Sequence, residues 1–357
     1  MPRKKGLKVI RLESELRKLL RGGEWKTSEP LPVTRELAEQ YDVSNVTVHR
    51  VMRQLRDEGL LWRNENGRYF LPGAREMAER PKPVLCLIRE LSAWFASYQL
   101  LLQGFSTACS EARRSLLIPS GLGLLQHEAP EVKPVFSGSS YQLRALRRVL
   151  RTNPQAPQGI LLDHLWHEDV LEACVDDLRN AVIVWRATRV KGVSSVRIDP
   201  EEAVRQALDH LKECGYDRIL IAVPFLGDSA VDSIVDAAVR VGRDYGVGEQ
   251  DVWQVDTDRG RARLMLEIQD TSERIGIFCI EDNVGKLLLE GVRGAGLRCP
   301  QDVGILSGMG TEIALDAGLS SVQIPFSDMG ERAARLINER ESGDVVLPTR
   351  LLRNLTT

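Results

Sequence analysis

Two groups of side chains in this chain have the types and the spacing to do chemistry. The first is Asn45-Val46-Thr47-Val48-His49-Arg50 with Arg53 beyond it, a run of amide, hydroxyl and basic groups with no acid before Asp57. Groups of that kind donate to phosphate oxygens and to base edges, which is what a reader of nucleic acid needs. The second is Asp163-His164-Leu165-Trp166-His167-Glu168-Asp169, directly after an apolar run. Its His-x-x-His pair and carboxylates are metal-ligand types, but i,i+3 histidines in a loop do not by themselves converge on one ion. The stretch therefore reads as a cleft-lining or solvated loop, and no metal is expected. Six cysteines are scattered with no C-x-x-C, so neither a zinc site nor a disulfide framework is indicated. No G-x-G-x-x-G follows a first strand, and no P-loop lysine motif or G-x-S-x-G elbow occurs. No cofactor and no enzymatic activity are expected.

The elements that must hold these groups follow from periodicity. Val9, Leu12, Leu16 and Leu19 recur at helical spacing up to Arg21-Gly22-Gly23. After Pro30 and Pro32, residues 34–41 predict a short helix with Thr34 as its N-cap. Asp42-Val43-Ser44 is a tight turn, and Ser44 is placed to cap a third helix from Asn45 to about Glu58. Val48, Val51, Met52 and Leu55 form its buried stripe, which turns Asn45, Thr47, His49, Arg50 and Arg53 outward. Residues 60–63 and 68–71 alternate as two strands around Asn64-Glu65-Asn66-Gly67, a hairpin turn. Two short helices, a tight turn and a hairpin make a winged helix-turn-helix, whose third helix fits a major groove.

Beyond a charged, Pro-containing linker the pattern changes. Short apolar strands such as 84–88, 159–162, 181–184, 219–222, 275–278 and 303–306 alternate with helical segments. That is the signature of parallel, doubly wound α/β sheets covered on both faces, and the number of units asks for two lobes with a ligand cleft at the carboxyl ends of their strands.

Charge is divided between these parts. Residues 1–75 carry 16 Lys+Arg against 10 Asp+Glu, leaving 32 against 40 on the remainder of a 357-residue chain of net charge −2. A basic module on an acidic body suits a polyanion partner for the first part only. The ordinary apolar fraction, the basic start without an apolar signal core, and the lack of any 20-residue apolar run point to a cytoplasmic protein with no membrane partner.

The segment LPVTRELAEQYDVSNVTVHRVMRQLRDEGLLWRNENGRYFLPG resembles the winged helix-turn-helix of GntR-type bacterial transcription regulators across about residues 7–73. By that resemblance Arg35 grips phosphate, Asn45, Thr47 and His49 read bases, and Gly67 enters the minor groove. Ser44, Val46, Arg50, Arg53 and Arg68 belong to the same expected interface. The family usually carries Arg at the places of Asn45 and His49, and Thr at that of Val46. Asn suits adenine and Val a thymine methyl, so an A·T-richer operator is expected.

Residues 84–353 resemble the effector-binding domain of LacI/GalR regulators, a periplasmic-binding-protein-like fold of type I. The pieces that carry the likeness include 196–199, 207–219, 277–283, 300–305 and 319–330. The resemblance implies an aromatic loop after the first strand, here Trp94 and Phe95, and a hydroxyl-binding carboxylate at Asp282. It also implies an arginine where this chain has Asp232. With His164, Asp199 and Glu281, these are the expected ligand-binding residues. An acid in place of the arginine favours a neutral or cationic, donor-rich effector over a sugar phosphate or carboxylate. The expected domains are 1–73 for DNA binding, a linker at 74–83, and 84–357 for ligand sensing and dimerisation. The expected lobes are 84–198 with 308–323, and 199–307 with 324–357. The whole reads as a homodimeric repressor that binds a palindromic double-stranded operator and answers a sugar- or polyol-like effector. Two alternatives stay open: a DNA-binding head on a mere dimerisation scaffold, and a solute-binding protein with an incidental head.

Overall fold

The computed structural model describes residues 7–22, 30–63, 67–71, 83–88, 96–119, 122–126, 135–152, 158–224, 227–255 and 257–357. They fall into two compact units, Met1–Pro81 and Lys82–Thr357.

In the first unit α1 (Leu7–Gly22), α2 (Thr34–Gln40) and α3 (Asn45–Asp57) precede the paired strands β1 (Trp62–Arg63) and β2 (Tyr69–Phe70). Leu12 and Leu16 of α1, Leu37 of α2 and the stripe Val48, Val51, Met52 and Leu55 of α3 bury together. The N-cap of α2 is Val33, one residue earlier than expected. Valine offers no side-chain acceptor, and Glu36 instead takes the Val33 N–H at 3.1 Å. Ser44 caps α3 as expected, accepting from the Thr47 N–H at 3.3 Å. Gly59 ends the helix region with φ +76°, where a side chain would be strained.

The second unit begins with β3 (Val84–Leu87), α4 (Ala96–Glu111), β4 (Leu116–Leu117) and the small hairpin β5 (Leu125–Gln126)–β6 (Val135–Phe136). Then come α5 (Ser139–Thr152), β7 (Gly159–Leu162), α6 (Glu168–Glu172), β8 (Ala181–Val184) and β9 (Val193–Ile198). The chain crosses to a second lobe through α7 (Pro200–Glu213), β10 (Arg218–Val223), α8 (Ser229–Gly242), β11 (Val252–Gln254), α9 (Asp258–Gln269) and β12 (Ile275–Cys279). That lobe continues with α10 (Asp282–Gly294), β13 (Val303–Ser307), α11 (Glu312–Ala317) and β14 (Ser320–Gln323). The last elements are α12 (Phe326–Glu339), β15 (Asp344–Leu347) and β16 (Arg350–Leu352). The sheets run β15-β9-β8-β7-β3-β4 and β11-β10-β12-β13-β14-β16, parallel throughout except for β16 on β14. This is the expected pair of doubly wound α/β lobes.

The lobe membership of the C-terminal pieces differs from expectation. Residues 308–323 belong to the second lobe, because β14 pairs with β13 through Leu306↔Ser320 and Ser307↔Ser321. Most of 324–357 returns to the first. There α12 lies on α4, and β15 pairs with β9 from Asp344↔Ser195 onward. Two glycines make that return possible. A Cβ on Gly104 would stand 2.0 Å from the Ser327 carbonyl oxygen, and one on Gly330 would stand 1.9 Å from that of Leu101. The two helices touch backbone to backbone, a closeness only glycine permits.

Candidate functional site

The outward face of α3 is built by its own stripe. With Val48, Val51, Met52 and Leu55 buried, Asn45, His49, Arg50 and Arg53 stand exposed, and Val46 is 78% exposed. Thr47 is half-buried, and its hydroxyl lies 2.9 Å from that of Ser44, so this pair closes the helix start. The His49 Nε2 lies 3.5 Å from the Thr34 hydroxyl of α2. Arg35 is exposed and reaches Glu39 only at 3.4 Å. In the wing Gly67 has φ +80°, and its carbonyl accepts from Arg63 Nε at 2.9 Å, while Arg68 is exposed beside it. Arg63 lies over the Tyr69 ring, and Trp62 stacks on Phe70 at 5.0 Å between centroids, which fixes the hairpin.

In the body a chain of buried polar groups joins the lobes. The Tyr98 hydroxyl in α4 donates to Asp163 Oδ1 at 3.0 Å and lies 3.2 Å from His164 Nδ1. Asp163 and His164 directly follow β7 of the first lobe. Across the cleft, His164 Nε2 lies 2.9 Å from Asp228 Oδ1, and Asp228 is the N-cap of α8 in the second lobe. Ser229 Oγ donates to the His164 carbonyl at 3.2 Å, making a second interlobe bond beside the first. Beside these groups lies a cavity of about 40 Å³, lined among the described residues by Tyr98, His164, Trp185, Asp228, Glu281, Met309 and others. That space has room for a few waters but not for a sugar ring.

Trp185 joins this space to a second cavity of about 140 Å³ lined by Arg186, Arg197, Ile198, Ala230 and Ile234. The residue follows β8 at a positive φ of +77°, and its ring lies 4.8 Å from Phe326 and 6.0 Å from His164, centroid to centroid. Its indole Nε1–H is buried, with no hydrogen-bond partner among the described residues. A buried donor without a partner, on strained backbone, is costly unless something outside the chain satisfies it. The two arginines are already engaged. Arg186 bonds Glu168 and the carbonyls of His164 and Trp166, and Arg197 is paired with Asp344.

Of the expected ligand-binding residues, His164 and Glu281 line the cleft. Trp94 and Phe95 lie outside the described residues. Asp199 is corrected to an exposed N-cap of α7, accepting from the Glu201 and Glu202 N–H groups. Asp232 does not line the cleft either; its carboxylate turns back to the Gly227 N–H at 3.0 Å, and Asp228 four residues earlier holds the cleft position. Asp282 is buried and accepts from the N–H groups of Met309, Gly310 and Thr311 and from the Thr311 hydroxyl, at 2.7–3.3 Å. Those four donors occupy the lone pairs that a ligand hydroxyl would need. His164 and His167 take separate partners, His167 meeting Ser139 at 3.1 Å. Among the described residues no group of three His, Cys, Asp or Glu side chains is arranged to hold a metal.

Comparison with known proteins fits both halves. Residues 9–71 match the bacterial regulatory proteins of the gntR family, and residues 208–355 match the periplasmic binding protein-like domain. The chain thus joins a segment similar to the gntR-family regulators to one similar to the periplasmic binding protein-like domain. It is 23% identical to an arabinose metabolism transcriptional repressor of Geobacillus stearothermophilus, over 98% of this chain and 97% of that protein. A LacI family transcriptional regulator of Enterococcus faecium, solved with bound ribose, superposes on 77% of this chain and 98% of its own, with a TM-score of 0.60 at 15% identity. A dimeric Lac repressor with a C-terminal deletion does so with a TM-score of 0.62 at 13% identity, over 77% and 98% of the two chains. At such identities the structural likeness speaks for the fold alone.

Within the binding-protein-like body, sequence reasoning missed Tyr98, Trp185 and Asp228, while Asp163 stood in the stretch read as a cleft-lining or solvated loop. Two of them carried a signal. Asp228 precedes an apolar-periodic run as an N-cap should, and Trp185 sits at the carboxyl end of a parallel strand, where α/β folds place ligands. Tyr98 reaches the cleft only through the placement of α4, which no local pattern encodes.

Proposed function

We propose that this chain is a ligand-responsive transcriptional repressor acting as a cytoplasmic homodimer. Its gntR-type head reads the major groove through α3, and its body senses a small molecule between the lobes. The observation that carries the sensing half is the buried Trp185 indole N–H at the lobe junction, which has no hydrogen-bond partner among the described residues. That donor asks for an acceptor oxygen on a ligand, and the carboxylates of Asp228 and Glu281 line the same cavity. A hydroxyl oxygen can supply that acceptor, and a neutral or cationic molecule avoids adding an anion to two carboxylates. The arabinose metabolism transcriptional repressor among its relatives points the same way. Entry of such a ligand must break the His164–Asp228 bridge, changing the angle between lobes and hence the spacing of two heads on a palindrome. No helix among the described residues is long and apolar enough to cross a membrane, and the six cysteines are free thiols, which suits a reducing compartment.

The test is a thermal-shift series with arabinose, ribose, glucosamine and glucose 6-phosphate. At least one of the first three should raise the melting temperature of the wild-type protein, and the phosphate should not. Trp185→Phe should lose most of that shift while melting no lower than wild type without ligand, because the change removes an unsatisfied donor and keeps the ring. Stabilisation by glucose 6-phosphate alone, or an undiminished shift in Trp185→Phe, would overturn the reading of the cleft.

A further inference from the structure

We infer that Val46 reads the C5 methyl group of a thymine, so that each half-site contains a T·A pair recognised by apolar contact. This rests on the reading of α3 as the groove-entering helix. Val46 is the second residue of that helix and, at 78%, the most exposed large hydrophobic side chain among the described residues. The face around it is otherwise polar or basic, with Asn45 before it and His49 and Arg50 a turn later. A branched apolar side chain there gains nothing from water and is left mostly uncovered by the described residues.

The major groove offers such a side chain one apolar partner on the base edges, the thymine methyl. The branch at Cβ restricts χ1 in a helix, so the two γ-methyl groups are held nearly fixed before DNA arrives. The neighbouring hydroxyls do not compete for the same base. Ser44 Oγ accepts the Thr47 N–H, and the Ser44 and Thr47 hydroxyls lie 2.9 Å apart. The first turn therefore presents Asn45 and Val46 as its readers. The Asn45 amide carries a donor and an acceptor, which suit adenine, and Val46 suits the methyl of a thymine close by.

The experiment uses the full chain and an operator selected from random-sequence duplexes. Each thymine of the operator is replaced in turn by deoxyuridine, which removes one methyl and leaves the hydrogen-bonding edges unchanged. One position per half-site should lose about three- to tenfold in affinity, the scale of one buried methyl group. Val46→Ala, which favours the helix, should weaken binding to the thymine operator by a similar factor and should bind thymine and deoxyuridine operators equally well. Asn45→Ala should keep the methyl sensitivity. If a salt-sensitive operator emerges but no deoxyuridine weakens binding, or if Val46→Ala stays sensitive to the methyl, the assignment to Val46 is wrong while the groove reading stands. If no sequence-specific operator emerges, the reading of the head fails and this inference with it.

Discussion

On α3 the polar side chains at 45, 49, 50 and 53 stand in solvent above the buried stripe of Val48, Val51, Met52 and Leu55. In the cleft Tyr98, Asp163, His164 and Asp228 are buried and bonded to one another. The helix face keeps its donors ready for a partner that arrives as a rigid, charged surface. The cleft ties its donors and acceptors together, so a ligand there must replace existing bonds before it adds new ones. The two sites should therefore fail differently when a side chain is removed: the cleft as loss of stability, the helix as loss of binding.

The largest expected effect is on the cleft side. Asp228→Ala removes an N-cap and the hydrogen bond to His164 across the lobes, and the body should lose about 2–4 kcal/mol of stability. Chemical denaturation of the full chain measures this. A loss under about 1 kcal/mol would mean that the bridge contributes little to holding the lobes together.

Asn45→Ala should do the reverse. It should change stability by less than about 0.5 kcal/mol and cost ~1–3 kcal/mol of specific operator binding, with non-specific binding unchanged. Competition against calf-thymus DNA separates the two kinds of binding. Equal loss on both would make Asn45 a backbone contact rather than a base reader.

The smallest effect concerns the strand that closes the first lobe. Asp344 on β15 is held below the usual carboxylate range, first by its hydrogen bonds from Arg197 on β9, then by the Ser195 hydroxyl and the Arg197 charge, against the opposing effect of burial. A depressed carboxylate adds stability above its ordinary pKa of 3.8 and loses it as pH falls through the lower folded value. Asp344 is 47% exposed, so Asp344→Asn should cost less than about 1 kcal/mol at pH 7. The gap between variant and wild type should close below about pH 4, as thermal melts across pH 2–7 would show. A gap that persists at pH 2 would assign the cost to packing rather than charge.

The same contrast sets what the sequence reveals. The head was legible almost residue by residue, because a surface helix writes its buried stripe into its own periodicity and Ser44 marks its start. The α/β class of the body was equally plain from its apolar strands. The membership of the C-terminal pieces was not, since it is decided by contacts far apart in sequence, Gly104 against the Ser327 backbone and Gly330 against that of Leu101. Carboxylates in the body misled for a related reason. Asp199, Asp232 and Asp282 all sit at or near helix starts after strands, but Asp199 and Asp232 bond backbone N–H groups of their own segment and Asp282 bonds the loop after β13. The described residues that meet in the cleft come from six separate segments, which only the assembled lobes bring together.

Coupling between head and body is the central claim, and fluorescence anisotropy on a labelled, selected operator tests it most directly. Binding is measured with and without the sugar that raises the melting temperature, at the concentration that saturates that rise. The account predicts a change in operator Kd of at least fivefold, the lower end of typical coupling between two sites. Operator affinity that stays within about twofold at saturating ligand would contradict it, and would leave a DNA-binding head on a body that binds without signalling.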